Sequence, residues 1–259
     1  MQDQTSGGRS VSSFILKLIA IVSMLIDHTA HVFGSEIAAA NPWLCFGMHA
    51  VGRLAFPLFA FGVAEGASKT SSGKKYLKRM LLFALISQIP FSLMCGLEDP
   101  AFRLVVFGRS VGVSTELSVM TTLFLGLALC LSWKEKRPLG MAAALAAAYA
   151  VDYTVGMDYG MLGVLFVFAL YAVKENKLRT SAATVVFAAA IYFDTIVSAV
   201  KTPGRVNAAV LLVYVFMTAL AALPMVLYNG KRGPKTGVRA YIVYPAHIAI
   251  LMLLRYLVF

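Results

Sequence analysis

Apolar stretches separated by short polar connections recur along this chain, and they set its fold class. A helix needs roughly 17–25 mostly apolar residues to cross the ~30 Å hydrocarbon core of a bilayer. Nine stretches approach or meet that length, beginning near Phe14, Trp43, Tyr76, Thr115, Leu139, Tyr159, Thr180, Ala208 and Val238. The pattern predicts an all-α polytopic membrane protein with about nine transmembrane helices. The fifth stretch, MAAALAAAYAV, is short and only mildly apolar. Its small residues suit close packing against a neighbouring helix better than lipid contact. No linker, low-complexity segment or strong repeat interrupts the series, so residues 1–259 read as one integral membrane domain, with 1–13 a short cytoplasmic tail.

The connections orient the spans. KTSSGKKYLKR, KEKRP, KENKLR and NGKRGPKTGVR alternate with GSEIAAANP, LEDPAFRLVVFGRSVGVSTE, DYTVGMDYG and KTPGRVN. Lys and Arg gather in the first set, as the positive-inside rule requires of cytoplasmic loops. The expectation is an N-terminus in the cytoplasm, a C-terminus outside, and residence in the inner (cytoplasmic) membrane. Composition agrees: 59% of residues are hydrophobic and 14% charged, a balance foreign to soluble domains. The net charge of +11 therefore reads as a topology signal rather than a nucleic-acid surface. Arg9 and Lys17 precede the first apolar run, which is too long for a secretory signal and reads as a retained helix. Cys45, Cys95 and Cys130 lie in apolar stretches without C-x-x-C spacing, which suits small buried hydrophobes rather than disulfides.

Polar residues inside the spans carry the functional argument. Asp27 and His28 stand together within LKLIAIVSMLIDHTAHVFG, and ionisable groups in hydrocarbon cost several kcal/mol unless paired or wetted. At ~1.5 Å per residue, His28 lies about 21 Å into the first helix, which puts Asp27, His28 and His31 in its outer third. His49 falls in the outer half of the second helix and Arg53 near its midplane. Asp194 belongs to the outer half of the seventh helix. His247 sits about 13 Å into the last helix by the same rise, a position for a cavity floor or a path from the cytoplasm. Asp27 and His31, four apart, share a face, whereas His28 points away from Asp27. Gly52, Pro57, Pro90 and Pro245 occupy the same helices, where such residues mark kinks and close contacts. Arg53 and Asp194 also admit plain structural roles, as a hydrogen-bonding hub and its partner. Glu65 and Lys69 make an i,i+4 pair at the end of the second helix. Trp43 and Trp133 read as interfacial anchors. No spacing fixes a metal site among the histidines, and no phosphate-binding loop or serine nucleophile elbow occurs.

LKLIAIVSMLIDHTAHVF, GRLAFPLFAFGVAEG, YLKRMLLFALISQIPF, DYGMLGVL and YPAHIAIL together resemble the TraX family of membrane proteins, which is similar to a wider group of transmembrane acyltransferases. The resemblance implies acetyl transfer from cytoplasmic acetyl-CoA to an acceptor on the outer side. It makes His28 the catalytic residue, with Asp27 beside it and Arg53 assisting. An imidazole can act as base or nucleophile, a carboxylate can orient it, and Arg53 or Gln88 can stabilise the developing oxyanion. On the cytoplasmic side Lys74, Lys75, Lys78, Arg79, Arg232, Lys235 and Arg239 offer phosphate partners, and Lys75, Arg79, Arg239 and His247 are the expected acetyl-CoA contacts. The partners expected are the bilayer, acetyl-CoA and an amine or hydroxyl acceptor on a peptide, glycan or small molecule, with a homo-oligomer left open. The loop between Leu97 and Ser114 is the expected place for acceptor selection. A second class stays open from the residues alone: a proton-coupled transporter relaying through Asp27, His28 and Asp194. Against it, no corresponding pair of broken helices marks an inverted repeat.

Overall fold

The computed structural model describes residues 11–106, 108–201, 207–234, 237 and 239–259. The proposed tail, residues 1–10, and most of the loop KTPGRVN lie outside them. Every one of the nine stretches is helical. In chain order the helices are α1 (Ser13–Val32), α2 (Gly34–Ala40), α3 (Pro42–Gly52), α4 (Ala55–Lys69), α5 (Gly73–Cys95), α6 (Val119–Lys134), α7 (Pro138–Thr154), α8 (Gly160–Val173), α9 (Lys177–Ile191), α10 (Phe193–Lys201), α11 (Ala208–Leu220), α12 (Ala222–Val226) and α13 (Arg239–Val258).

Five of these units among the described residues are long and apolar enough to span a bilayer: Ser13–Val32, Pro42–Lys69, Gly73–Cys95, Ala208–Val226 and Tyr241–Val258. A sixth follows if α9 and α10, bent by 49°, count as one. The stretches begun at Thr115, Leu139 and Tyr159 form shorter helices of 16, 17 and 14 residues. The reason is position. α6 and α8 are sheathed by other helices, with Leu127, Cys130, Val164, Val167 and Leu170 wholly buried. Glycines let the two approach closely. A methyl on Gly126 would fall 2.7 Å from Val167, and one on Gly163 would fall 2.7 Å from Thr122. α7 docks beside them through Ala144 and Ala148, as the small residues of its sequence suggest.

Local chemistry sets the boundaries. Asn41, Asn176 and Asn207 cap α3, α9 and α11 with their side-chain oxygens. α3 and α4 are one span broken at Arg53–Leu54, where the backbone tightens to Arg53 N–H···Ala50 C=O and Leu54 N–H···Val51 C=O bonds, each 3.2 Å. Pro57 explains the break, since it has no N–H to give the carbonyl four residues back, that of Arg53.

The helices end at two faces. Ser13, Lys69, Lys134 and Asn229 meet at one, where Lys134 Nζ donates to the carbonyls of Ala67, Ser68 and Thr70 at 3.0 Å each. At the other, Arg255 bonds Val32 C=O and Glu36, and His31 pairs with Glu98 at 3.2 Å. The connection expected as a loop between Leu97 and Ser114 instead holds an antiparallel hairpin, β1 (Phe102–Val106) with β2 (Arg109–Val113). Alternation in FRLVV and RSVGV is short and shares its residues with an apolar run, so the strand pattern is weak in the sequence.

Candidate functional site

Asp27 on α1 reaches across to α3. His49 Nδ1 donates to its Oδ1 at 2.9 Å, and one Arg53 terminal nitrogen donates to both oxygens at 3.1 and 3.2 Å. Arg53 Nε closes the ring of bonds by donating to His49 C=O at 3.1 Å. The break before Pro57 brings the arginine inward, and Gly52 gives the carboxylate room. Asp27 and Arg53 side chains are 14% and 22% exposed, so this is a shielded ion pair with most of its polar atoms occupied. The Tyr214 ring lies 5.5 Å from the guanidinium. Asp27 thus orients His49, which the sequence places in the outer half of the second helix. His31, the expected partner on its own face, turns to Glu98 and meets the His49 ring edge-on at 5.2 Å.

His28 points about 100° round the helix from Asp27 and meets His247. His28 Nδ1 is 2.6 Å from His247 Nε2, while His247 Nδ1 is 2.7 Å from Val243 C=O. A carbonyl only accepts, so His247 carries its proton on Nδ1 and offers the Nε2 lone pair. In the neutral pair His28 therefore donates through Nδ1, and its own Nε2 is left unprotonated. The rings lie 4.8 Å apart with planes 13° from parallel. That separation is one hydrogen bond plus two ring radii, an edge-to-edge contact in plane. The depth arithmetic had set His247 nearer the cytoplasm. By position in their helices the two histidines differ by seven residues, about 10 Å, and they meet because α13 begins deeper in the bundle. Tyr241, its third residue, stacks on Phe83, ten residues into α5.

A cavity of about 430 Å³ leads towards this pair. Lys17, Lys69, Arg79 and Arg232 line its mouth at the lysine-rich face, Gly62 and Gly66 its wall, and Met24, Met120 and Tyr244 its inner end. His28 lies one helical turn beyond Met24, and His247 three residues beyond Tyr244. The Tyr244 ring packs 5.9 Å from each histidine ring. Of the expected acetyl-CoA contacts, Arg79 lines the cavity, held over the rings of Tyr76 and Tyr241. Lys75 does not line it: Tyr76, Arg79 and Met80 form the cavity face of α5, and Lys75 lies about 100° round the helix from Tyr76. Lys74 and Lys78 are exposed as well. The side chain of Arg239 and the whole of Lys235 lie outside the described residues. His247 serves His28 instead of the mouth.

Two other expected residues take no part here. Gln88 bonds Glu116 C=O at 2.7 Å and accepts from Ser118 N–H at 3.0 Å, tying α5 to the start of α6. Asp194 is exposed at the start of α10, just past the bend after Ile191. The structure adds Asp158 and Tyr159, which sequence reasoning passed over as loop. Tyr159 adopts the left-handed backbone region, φ 63°, uncommon for a bulky residue, and stacks on Phe56 at 3.8 Å. That turn directs the Asp158 carboxyl inward, where burial, with the Glu116 carboxylate adding, pushes its pKa up to about 7. The only signal in the sequence was an Asp–Tyr pair before a glycine.

Helices sheathing one another, a shielded Asp–His–Arg cluster and a histidine pair just beyond the inner end of a cavity define a multi-pass membrane protein with a buried polar centre. The chain matches the TraX protein family over residues 12–255, and it belongs to that family. It is 32% identical over 251 residues to a probable fimbrial assembly protein FimC, serogroup H1, of Dichelobacter nodosus, covering 93% of this chain and 94% of that protein. No solved structure matches.

Proposed function

We propose that this protein is a transmembrane acetyltransferase, taking an acetyl group from cytoplasmic acetyl-CoA and passing it to an amine or hydroxyl at the extracytoplasmic side. In this reading the nine helical stretches all count as spans, the lysine-rich face is cytoplasmic, the C-terminus is outside, and the membrane is the inner one. The observation that carries it is the chain of bonds from Val243 C=O through His247 to His28, which leaves His28 Nε2 unprotonated near the inner end of a cavity with a basic mouth.

The lining suits a long, polyanionic thioester. Lys17, Arg79 and Arg232 offer charge-assisted bonds to phosphates, and the volume is within the usual range for small-molecule sites, ~300–1,000 Å³. Acetyl-CoA supplies an activated acetyl carbon there. His28 Nε2 takes the proton of the acceptor's amine or hydroxyl as the acceptor bonds the acetyl carbon. It returns that proton to sulfur as the C–S bond breaks. His247 fixes the tautomer throughout. Asp27 and Arg53 hold α3 against α1 and so keep the far side of the centre in register. The relative's name attaches that protein to fimbrial assembly, and a surface-fibre component is accordingly one class of acceptor to try first.

The test is acetyl-CoA binding and turnover by the purified full chain in detergent, beside His28→Ala. Binding in both, with turnover falling roughly 10²–10⁴-fold in the variant, is expected. A folded wild-type protein that binds no acetyl-CoA overturns the reading and turns attention to proton-coupled flux in vesicles.

A further inference from the structure

Among the described residues, three buried hydroxyls are left without any hydrogen-bond partner: those of Ser87, Ser118 and Tyr244. An unpaired hydroxyl in a dry interior costs about 1–3 kcal/mol, and native proteins keep few of them without a use. These three are not scattered. Phe83 stacks on Tyr241, and α5 and α13 run in the same direction, so Ser87, one turn past Phe83, stands level with Tyr244. Gln88 Oε1 holds Ser118 N–H, which brings the start of α6 to that level too. The three therefore lie at one level of the bundle, where Val119, Met120 and Tyr244 line the inner end of the cavity.

Tyr244 is the best placed of them. It is 5% exposed, and its ring packs against both His28 and His247. The histidines bond each other and Val243 C=O, and neither bonds the phenol. A donor that neighbours a general base and has no acceptor of its own is what an acyl carbonyl oxygen requires.

We infer that Tyr244 Oη, with the hydroxyls of Ser87 and Ser118 beside it, forms a binding site for the carbonyl oxygen of an acyl thioester. The site rests on the acetyltransferase reading and adds the groups that hold the oxygen. Tyr244 keeps its proton. It donates a hydrogen bond that strengthens as the oxygen gains negative charge during bond exchange at the carbonyl carbon, while the transferred proton moves only through His28.

The experiment uses the full chain in detergent with acetyl-CoA carrying ¹³C at the acetyl carbonyl. Tyr244→Phe is expected to lower kcat roughly 100- to 1,000-fold, the usual effect of removing one oxyanion donor, with KM near wild type. The infrared band of the bound labelled carbonyl should move to higher frequency as its hydrogen bond is lost. Because the hydroxyl bonds nothing in the protein, the variant's thermal midpoint should equal or exceed wild type. Ser87→Ala with Ser118→Ala is scored in the same way, with a smaller loss of rate and the same direction of band shift. Tyr244→Phe with an unchanged rate and unchanged band, in a wild type that turns over acetyl-CoA, overturns this inference alone. A wild type that binds no acetyl-CoA overturns it together with the function it rests on.

Discussion

Replacing Gly52 by alanine should break the polar cluster without touching any of its side chains. A Cβ at Gly52 would stand 2.3 Å from Asp27 Cγ, 2.4 Å from Asp27 Cβ and 2.6 Å from Asp27 Oδ1, whereas ordinary contact begins at 3.4 Å. The clash involves Asp27 Cβ as well as the carboxylate, so rotation of χ1 alone cannot relieve it; α1 and α3 must part or the carboxyl must retreat by about 1 Å, beyond hydrogen-bonding range. The bonds now at 2.9, 3.1 and 3.2 Å would then be lost together. Stripping partners from a buried ion pair costs about 3–5 kcal/mol, and residual solvent access to Asp27 and Arg53 puts the expected loss near 3 kcal/mol. The assay is equilibrium unfolding of the purified protein in mixed micelles. Gly62→Ala serves as the control, since nothing lies within 4 Å of a Cβ there and a helical Gly→Ala change is neutral or stabilising by up to ~1 kcal/mol. Gly52→Ala unfolding within about 0.5 kcal/mol of wild type would refute the claim that these three bonds depend on a bare backbone at residue 52.

Two further expectations follow from the site. The raised Asp158 pKa, about 7, means the folded state holds that proton more tightly than the unfolded chain. The associated stability is complete below the unfolded value near 4 and is lost as pH climbs to about 7; Asp158→Asn should flatten that decline in an unfolding series, and an identical slope in the variant counts against a buried Asp158. His247→Phe removes the acceptor for His28 Nδ1–H, so transfer should slow by about 100-fold or more through loss of the correct tautomer while acetyl-CoA binding persists. Wild-type kcat in this variant would show that His28 does not depend on the relay.

The ionisable residues were legible because the cost of charge in hydrocarbon is paid one residue at a time. Asp27, His28 and Arg53 stand out against their apolar neighbours, and Pro57 and Gly52 mark the break and the gap that the structure uses. Asp158 was missed for the opposite reason. In DYTVGMDYG it sits among turn-forming residues, and nothing local distinguishes a loop carboxylate in water from one turned inward by a left-handed Tyr159. Tyr244 was missed because a tyrosine in an apolar helix is ordinary, and only its lack of a partner gives it significance.

The sequence by itself determined the membrane class and the helical stretches, because hydropathy and proline geometry act along the chain. It also settled that Asp27 and His28 point different ways, since adjacent residues on a helix cannot share a face. Only the tertiary structure decided their partners. His28 meets His247, 219 residues away, because α13 starts deep beside α5, and Asp27 meets His49 and Arg53 because α3 packs closely over Gly52. Helix order and vertical offset come from packing summed over many side chains, and no short stretch of sequence contains that sum.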